Sequence, residues 1–335
     1  MSKSLFLWVA ALILLSEIFL ARWHEEKAFE FSGTREAIWA QREREIARSG
    51  DNAGILFLGD STVKNAIDPD LFYRLTQIKA MNLGLTGNLV AYGDYAVLKK
   101  YLNDHKPPQA IVVWHAIDVW PRPLDMQLFA FTNPEWGDTQ AALKNALTHV
   151  SSPTDYLKWP VEYMAQIVRN QLMKIPSYRN RLEIRKETDR YLPVLLHLDG
   201  GGGPPMPDPD VTLKNQLRSV VRMAFYISPD MVFWFEKLVR LANDNHIRIF
   251  GAHAPIHEMF LDKDSAEKKL ALINDEVNRF YDRYPEIGKL NTRSPVFLKE
   301  HSHGDKDHVS EAGRTHLTRY YADRINEIKG NSFDR

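Results

Sequence analysis

The feature that most constrains this chain is a repeated pairing of short apolar runs with amphipathic helical stretches. "GILFLG" (Gly54–Gly59), "KAMNLGL" (Lys79–Leu85), "QAIVVWHAID" (Gln109–Asp118) and "IRIFGAHAPI" (Ile247–Ile256) read as strands. A continuous apolar run of this length suits a strand buried on both faces. Between and after them lie "DPDLFYRLT", "LVAYGDYAVLKKYLNDH", "SPDMVFWFEKLVRLANDNH" and "SAEKKLALINDEVNRFYDRY", each with helical spacing. Pro69 falls near a first turn, Pro107-Pro108 closes one helix, and Ser228-Pro229 reads as an N-cap followed by the first helical position. "PVFLKEH" is read as a fifth strand, and a last helix is expected from about Val309 to Lys329. Strand–helix alternation predicts an α/β fold, a three-layer sandwich around a mostly parallel sheet. Ligands of such sheets bind at the carboxyl ends of the strands.

Two regions fall outside this alternation. "SLFLWVAALILLSEIFLA" (Ser4–Ala21) carries a single charge, and as a helix it spans roughly 27 Å, close to a bilayer's hydrocarbon core. Phe19 and Leu20 before Ala21 make a poor small-x-small cleavage site. An uncleaved transmembrane anchor is therefore expected over residues 1–23, with Trp23 at the interface and a polar linker helix over 24–50. Lys3 precedes the span while Arg22, Lys27 and Arg35 follow it, so flanking charge does not set the orientation. The remaining 51–335 read as one domain with a helical and irregular insertion at about 119–226, including the Gly/Pro-rich "DGGGGPPMPDPD".

Composition excludes several classes. Lys+Arg and Asp+Glu are both 43, so no basic excess points to nucleic acid. There is no cysteine, which removes disulfides, thiolate metal sites and a cysteine nucleophile. The Gly200–Gly203 run lacks the preceding strand and following Lys-Ser/Thr of a phosphate loop. Trp114 and Trp120 are read as buried packing rather than a sugar-stacking wall.

The chemistry gathers at "ILFLGDSTVKN" (Ile55–Asn65) and "HGDKDHVSEAG" (His303–Gly313). Ser61 follows the first strand at its carboxyl end. A serine hydroxyl is a poor nucleophile until a base takes its proton. Asp305 and His308 are three residues apart, a spacing that lets a carboxylate orient an imidazole. Asp307 is the alternative orienting acid. Asp60 is read as a structural hydrogen-bond partner, and Ser61 as a plain turn or cap residue is the competing reading. His301, His303, Asp305, Asp307 and His308 also invite a metal, but they sit too close together along the chain to be expected to converge, and no metal or other cofactor is expected.

Gly-Asp-Ser after the first strand, with Asp-x-x-His before a final helix, resembles the SGNH (GDSL) hydrolase family over about residues 53–118 and 228–328. The anchor and large insertion resemble the branch containing the alginate-type polysaccharide O-acetyltransferases. The resemblance implies Ser61 as nucleophile, His308 as base and Asp305 as the orienting acid. It implies an oxyanion site made from the Ser61 N–H and a glycine of "NLGLTGN", Gly84 or alternatively Gly87. The family's third-block Gly-x-Asn-Asp is replaced by "HAID" (His115–Asp118), leaving Asn88 or His115 as substitutes. His115 and Asp118, with His253 and His257 after the fourth strand, are candidate substrate-binding residues; for the last two a solvated loop is the competing reading. The implied activity is acyl transfer to or from a cell-envelope or secreted polysaccharide, by an inner-membrane protein with a periplasmic domain, with a multi-span acyltransferase as donor partner. A non-catalytic glycan-binding or scaffold protein is the alternative.

Overall fold

The computed structural model describes residues 38–39, 42, 45–46, 52–132, 134–149, 209–261, 264–302 and 305–332. The expected anchor, most of the linker helix and the Gly-rich loop lie outside them. Among the described residues no helix is long and apolar enough to cross a membrane. The chain divides into two compact units. One comprises Met1–Ala40 and Met126–Leu192, the other Gln41–Asp125 and Pro193–Arg335.

In the first unit the described chain forms α4 (Met126–Phe131) and α5 (Trp136–His149). The second unit holds β1 (Ile55–Gly59), α1 (Ser61–Ala66), α2 (Pro69–Thr76), β2 (Ala80–Asn82), α3 (Val90–Asp104) and β3 (Ala110–Trp114). It continues with α6 (Pro209–Arg222), α7 (Pro229–Asp244), β4 (Arg248–Gly251), β5 (Ile256–His257), α8 (Asp264–Tyr281), β6 (Ile287–Lys289), β7 (Val296–Phe297) and α9 (Glu311–Ser332). Five strands form a parallel sheet in the order β2-β1-β3-β4-β6.

The central strands are apolar throughout because both faces are covered. Every residue of β1 and β3 is buried. Ile55 and Phe57, with Ala110, Val112 and Trp114, join a cluster with Val63, Phe72, Leu317 and Tyr321 from α1, α2 and α9. The alternating side chains project to the other face, where α3 packs on β1 and on α7, and α7 on β4. Helix ends follow their sequence signals. Asp68 caps α2 with Pro69 inside the first turn, and Ser228 caps α7, its hydroxyl accepting from the Met231 N–H.

The fifth strand is a correction. Val296–Phe297 of "PVFLKEH" pairs with β5 in a separate two-stranded sheet. The main sheet is completed instead by Ile287–Lys289, three residues with a glycine at the centre and a lysine at the end. An edge strand needs little apolar sequence, so its pattern is weak.

Candidate active site

The first strand ends in a turn that only glycine permits. Gly59 has φ +140, and a Cβ there would lie 2.0 Å from the Trp114 carbonyl oxygen. This close approach lets β1 and β3 run side by side to their carboxyl ends and brings Asp60 beneath the next segment. Asp60 accepts from the Thr62 N–H at 2.8 Å and its hydroxyl at 2.6 Å, and from the Ala116 N–H at 2.7 Å. It caps α1 and ties the end of β1 to the end of β3. Ser61 is thereby freed from capping, and its own N–H meets no protein acceptor among the described residues.

The second half of the site is the loop before α9. Its base is closed by an antiparallel bridge between Ser302 and Val309. The His257 N–H donates to the Lys306 carbonyl at 2.9 Å, and the Lys306 N–H to Gln216 Oε1 at 2.9 Å. Asp305 then accepts from the backbone N–H groups of Asp307 and His308 with one oxygen and from His308 Nδ1, at 2.6 Å, with the other. His308 Nε2 lies 2.8 Å from Ser61 Oγ, across 247 residues of chain. The three side chains singled out by the two motifs meet in space.

Electrostatics couple them. For Asp305, burial works against the charge, but His308 and the two backbone donors outweigh it and hold the carboxyl at about 2. For His308, burial opposes the charge, while Asp305 raises the imidazole to about 9, helped by Asp307. Asp307 Oδ1 is 3.3 Å from His308 Nδ1, farther than Asp305, and its main partner is the Lys306 ammonium. Asp305 is therefore the nearer orienting acid. Lys306 also reaches Asp118 Oδ1 at 2.7 Å, while Asp118 Oδ2 pairs with Arg122. Burial opposes the charge of both, yet Asp118 is held well below the usual carboxylate range and Lys306 well above the usual amine range.

A cleft of about 450 Å³ opens over these groups, within the size range of small-molecule sites, about 300–1,000 Å³. Ser61, His308, Gly87, Asp118 and Arg122 line it, with Gln216, Ser219, Val220 and Met223 from and just beyond α6. Helix α6 belongs to the stretch read as an insertion, and its contribution to the wall was not visible in sequence. Nor was Arg122, four residues from Asp118 in a loop with no strand or helix signal.

Several expected site residues lie elsewhere. The Gly84 N–H donates to Asn82 Oδ1 at 3.1 Å, and a Cβ on Gly84 would lie 2.4 Å from the Lys64 nitrogen. It is a packing glycine against α1 rather than an oxyanion donor. Asn88 is occupied by Asp125 and Arg122. His115 points back beneath the sheet edge, its Nε2 2.8 Å from Asp94, with both side chains buried. His253 is buried on Asn278, and burial lowers its pKa. His257 is buried too, its Nδ1 accepting from the Met259 N–H. Neither is a solvated loop residue, and neither lines the cleft; of the four candidate substrate contacts only Asp118 does. Trp114 stacks on Tyr321 at 4.6 Å and Trp120 packs against Phe280 and Tyr281, both fully buried.

The metal question also changes. Asp305, Asp307 and His308 each bring a ligand atom within 4.8 Å of the others, so the short spacing does converge. Those atoms are already engaged, Asp307 with the Lys306 ammonium and His308 Nδ1 with Asp305. The set reads as an ion network rather than a cation cage. No protein-family model matches this chain, and no curated protein matches it.

Proposed function

We propose that this protein is a serine-dependent acyl-transfer enzyme of the SGNH type, working through an acyl-serine intermediate. The observation that carries this reading is the continuous chain Ser61 Oγ–His308 Nε2, His308 Nδ1–Asp305 Oδ2, at 2.8 and 2.6 Å. An ionised Asp305 can only accept, so it fixes the proton on Nδ1 and leaves Nε2 of the neutral imidazole to accept from the serine.

In this reading neutral His308 removes the Ser61 proton as Oγ bonds to the ester carbonyl carbon. The carbonyl oxygen becomes an oxyanion. The Ser61 N–H is one donor for it. Gly87 is the other, because its N–H has no protein acceptor among the described residues and it lines the cleft beside Ser61. Collapse breaks the ester C–O bond, and the imidazolium returns its proton to the departing alcohol. A second alcohol or water then attacks the acyl-serine by the reverse sequence. Water yields an esterase and a sugar hydroxyl an O-acyltransferase.

We favour transfer onto a cell-envelope or secreted polysaccharide. Support comes from the N-terminal apolar stretch and from neutral hydrogen-bonding side chains at the cleft wall, Thr86, Gln216 and Ser219. An inner-membrane location with the catalytic unit in the periplasm, and a multi-span donor partner, belong to the same proposal. The test is labelling by a serine-directed phosphonate together with 4-nitrophenyl acetate hydrolysis, followed by acetyl transfer to oligosaccharides read by product mass. Labelling of the wild type that disappears in Ser61→Ala is expected. A wild type inert to both reagents between about pH 6 and 9, a window that reaches the His308 pKa, would favour a binding or scaffold protein instead.

A further inference from the structure

In the third segment of the site, "HAID", neither the His115 ring nor the Ala116 N–H is available to an oxyanion. His115 is turned to Asp94, the Ala116 N–H is taken by Asp60, and Ile117 is 5% exposed in an apolar cluster with Leu217 and Ile256. A further donor on the cleft wall has a large effect on such chemistry: removing one oxyanion donor costs about 10²–10³ in kcat. A group on the same wall can supply one.

We infer that Arg122 is that group, a side-chain oxyanion donor presented one turn beyond Asp118. This rests on the acyl-transfer reading. Arg122 lines the cleft with Ser61 and Gly87. A Cβ built on Gly87 would lie 2.4 Å from Val119 and 3.3 Å from Arg122 Nη1. The guanidinium thus lies against the same backbone segment that offers the Gly87 N–H. Any side chain on Gly87 would collide with Val119.

The guanidinium is held on three sides. Nε donates to the Asp118 carbonyl at 3.0 Å, Nη1 to Asn88 Oδ1 at 3.2 Å, and Nη2 to the Asp118 carboxylate. A guanidinium has five N–H groups, so each terminal nitrogen keeps one. The side chain is 39% exposed and lines the cleft. Asp118 divides its charge between Arg122 and Lys306, and Lys306 is paired with Asp307 as well. Arginine also stays protonated at any working pH. A fixed, charged donor beside a developing negative oxygen stabilises it without reorganisation.

Steady-state hydrolysis of 4-nitrophenyl acetate by Arg122→Gln and Arg122→Lys tests this, because that ester carries no anionic group for an arginine to bind. Arg122→Gln is expected to lose about 10²-fold in kcat with KM within about twofold, and its phosphonate labelling to slow in parallel. Arg122→Lys keeps the positive charge and the pairing with Asp118, and should fall between, losing about tenfold in kcat. If the glutamine variant does not fold, as judged by thermal melting, the lysine variant decides alone. A kcat within about threefold of wild type, or a rise in KM at unchanged kcat, overturns the assignment, the latter pointing to a substrate-binding arginine. Wild-type labelling of Ser61 keeps the two claims apart. With no labelling the acyl-transfer reading fails, whereas labelled wild type with a wild-type-like glutamine variant removes Arg122 alone.

Discussion

Two histidine–aspartate pairs stand at the carboxyl edge of this sheet, alike in electrostatics and different in what surrounds them. His308 and Asp305 sit in a loop, border the cleft, and have a serine hydroxyl on the far nitrogen. His115 and Asp94 join the end of β3 to α3, are fully buried, and leave His115 Nδ1 with no hydrogen-bond partner among the described residues. In both, burial opposes the histidine's charge and the aspartate restores it, so both imidazoles are raised. A perturbed histidine beside a carboxylate is therefore no signature of catalysis. Access to solvent and a third reacting atom separate the two. The buried pair ties the end of β3 to α3, and the backbone of Gly59, the residue that lets β1 turn into Asp60 and Ser61, works with His115 to favour the charged Asp94 against its burial.

Substitution at each pair breaks or sharpens that contrast. The largest effect is expected at the cleft. Ser61→Ala or His308→Ala should lower kcat for ester hydrolysis by about 10⁴-fold or more, with phosphonate labelling lost and, for Ser61→Ala, the melting temperature nearly unchanged. Asp305→Asn should lower kcat by about 10²–10⁴-fold. It should also move the pH profile, because general-base action needs neutral His308. With its pKa at about 9, the wild-type rate should climb about tenfold per pH unit through neutrality and level off above about 9. Removing the carboxylate that raises it shifts this limb to lower pH. The same linkage has a stability sign. The His308 contribution is fully present below the unfolded value of about 6.5 and is lost as pH rises through about 9, readable by urea unfolding at the two extremes. The smallest catalytic effect is expected at the buried pair. His115→Ala should destabilise the fold by about 3–5 kcal/mol in urea titration, since it leaves an unpaired buried carboxylate, while kcat falls less than about tenfold. A kcat loss at His115 equal to that at His308 would collapse the distinction.

What could be read in advance follows the range of the interactions. The strands β1 and β3 declare themselves because a strand buried on both faces is apolar without interruption. Ile287–Lys289 does not, because an edge strand is specified by a neighbour more than by its own residues. Val296 and Phe297 are strand, but nothing in "PVF" says which strand lies beside it. In the site, Ser61, Asp305 and His308 were legible because local geometry dictates them: a turn after a strand, and a three-residue spacing within one loop. Gly84 and His257 are turned by partners only two residues away, Asn82 and Met259, whereas His115 and His253 were misplaced because the direction of a side chain at a strand end is decided by distant partners, here Asp94 and Asn278. Arg122 and α6 were missed for the same reason. Arg122 reaches the cleft on a segment without periodic signal, and the Leu213, Leu217 and Val220 spacing of α6 marks a helix without saying where it packs.

Asp118 touches both sides of the candidate site. One of its oxygens holds the lysine that sits on the imidazole's own loop, and the other holds the guanidinium beside Gly87, with 188 residues of chain between Asp118 and that lysine. The groups proposed to move protons and those proposed to receive negative charge are thus joined through a single carboxylate. A ligand that tugs the arginine away from its seat would be felt at the histidine as well, so affinity and timing at this centre are not free to change independently.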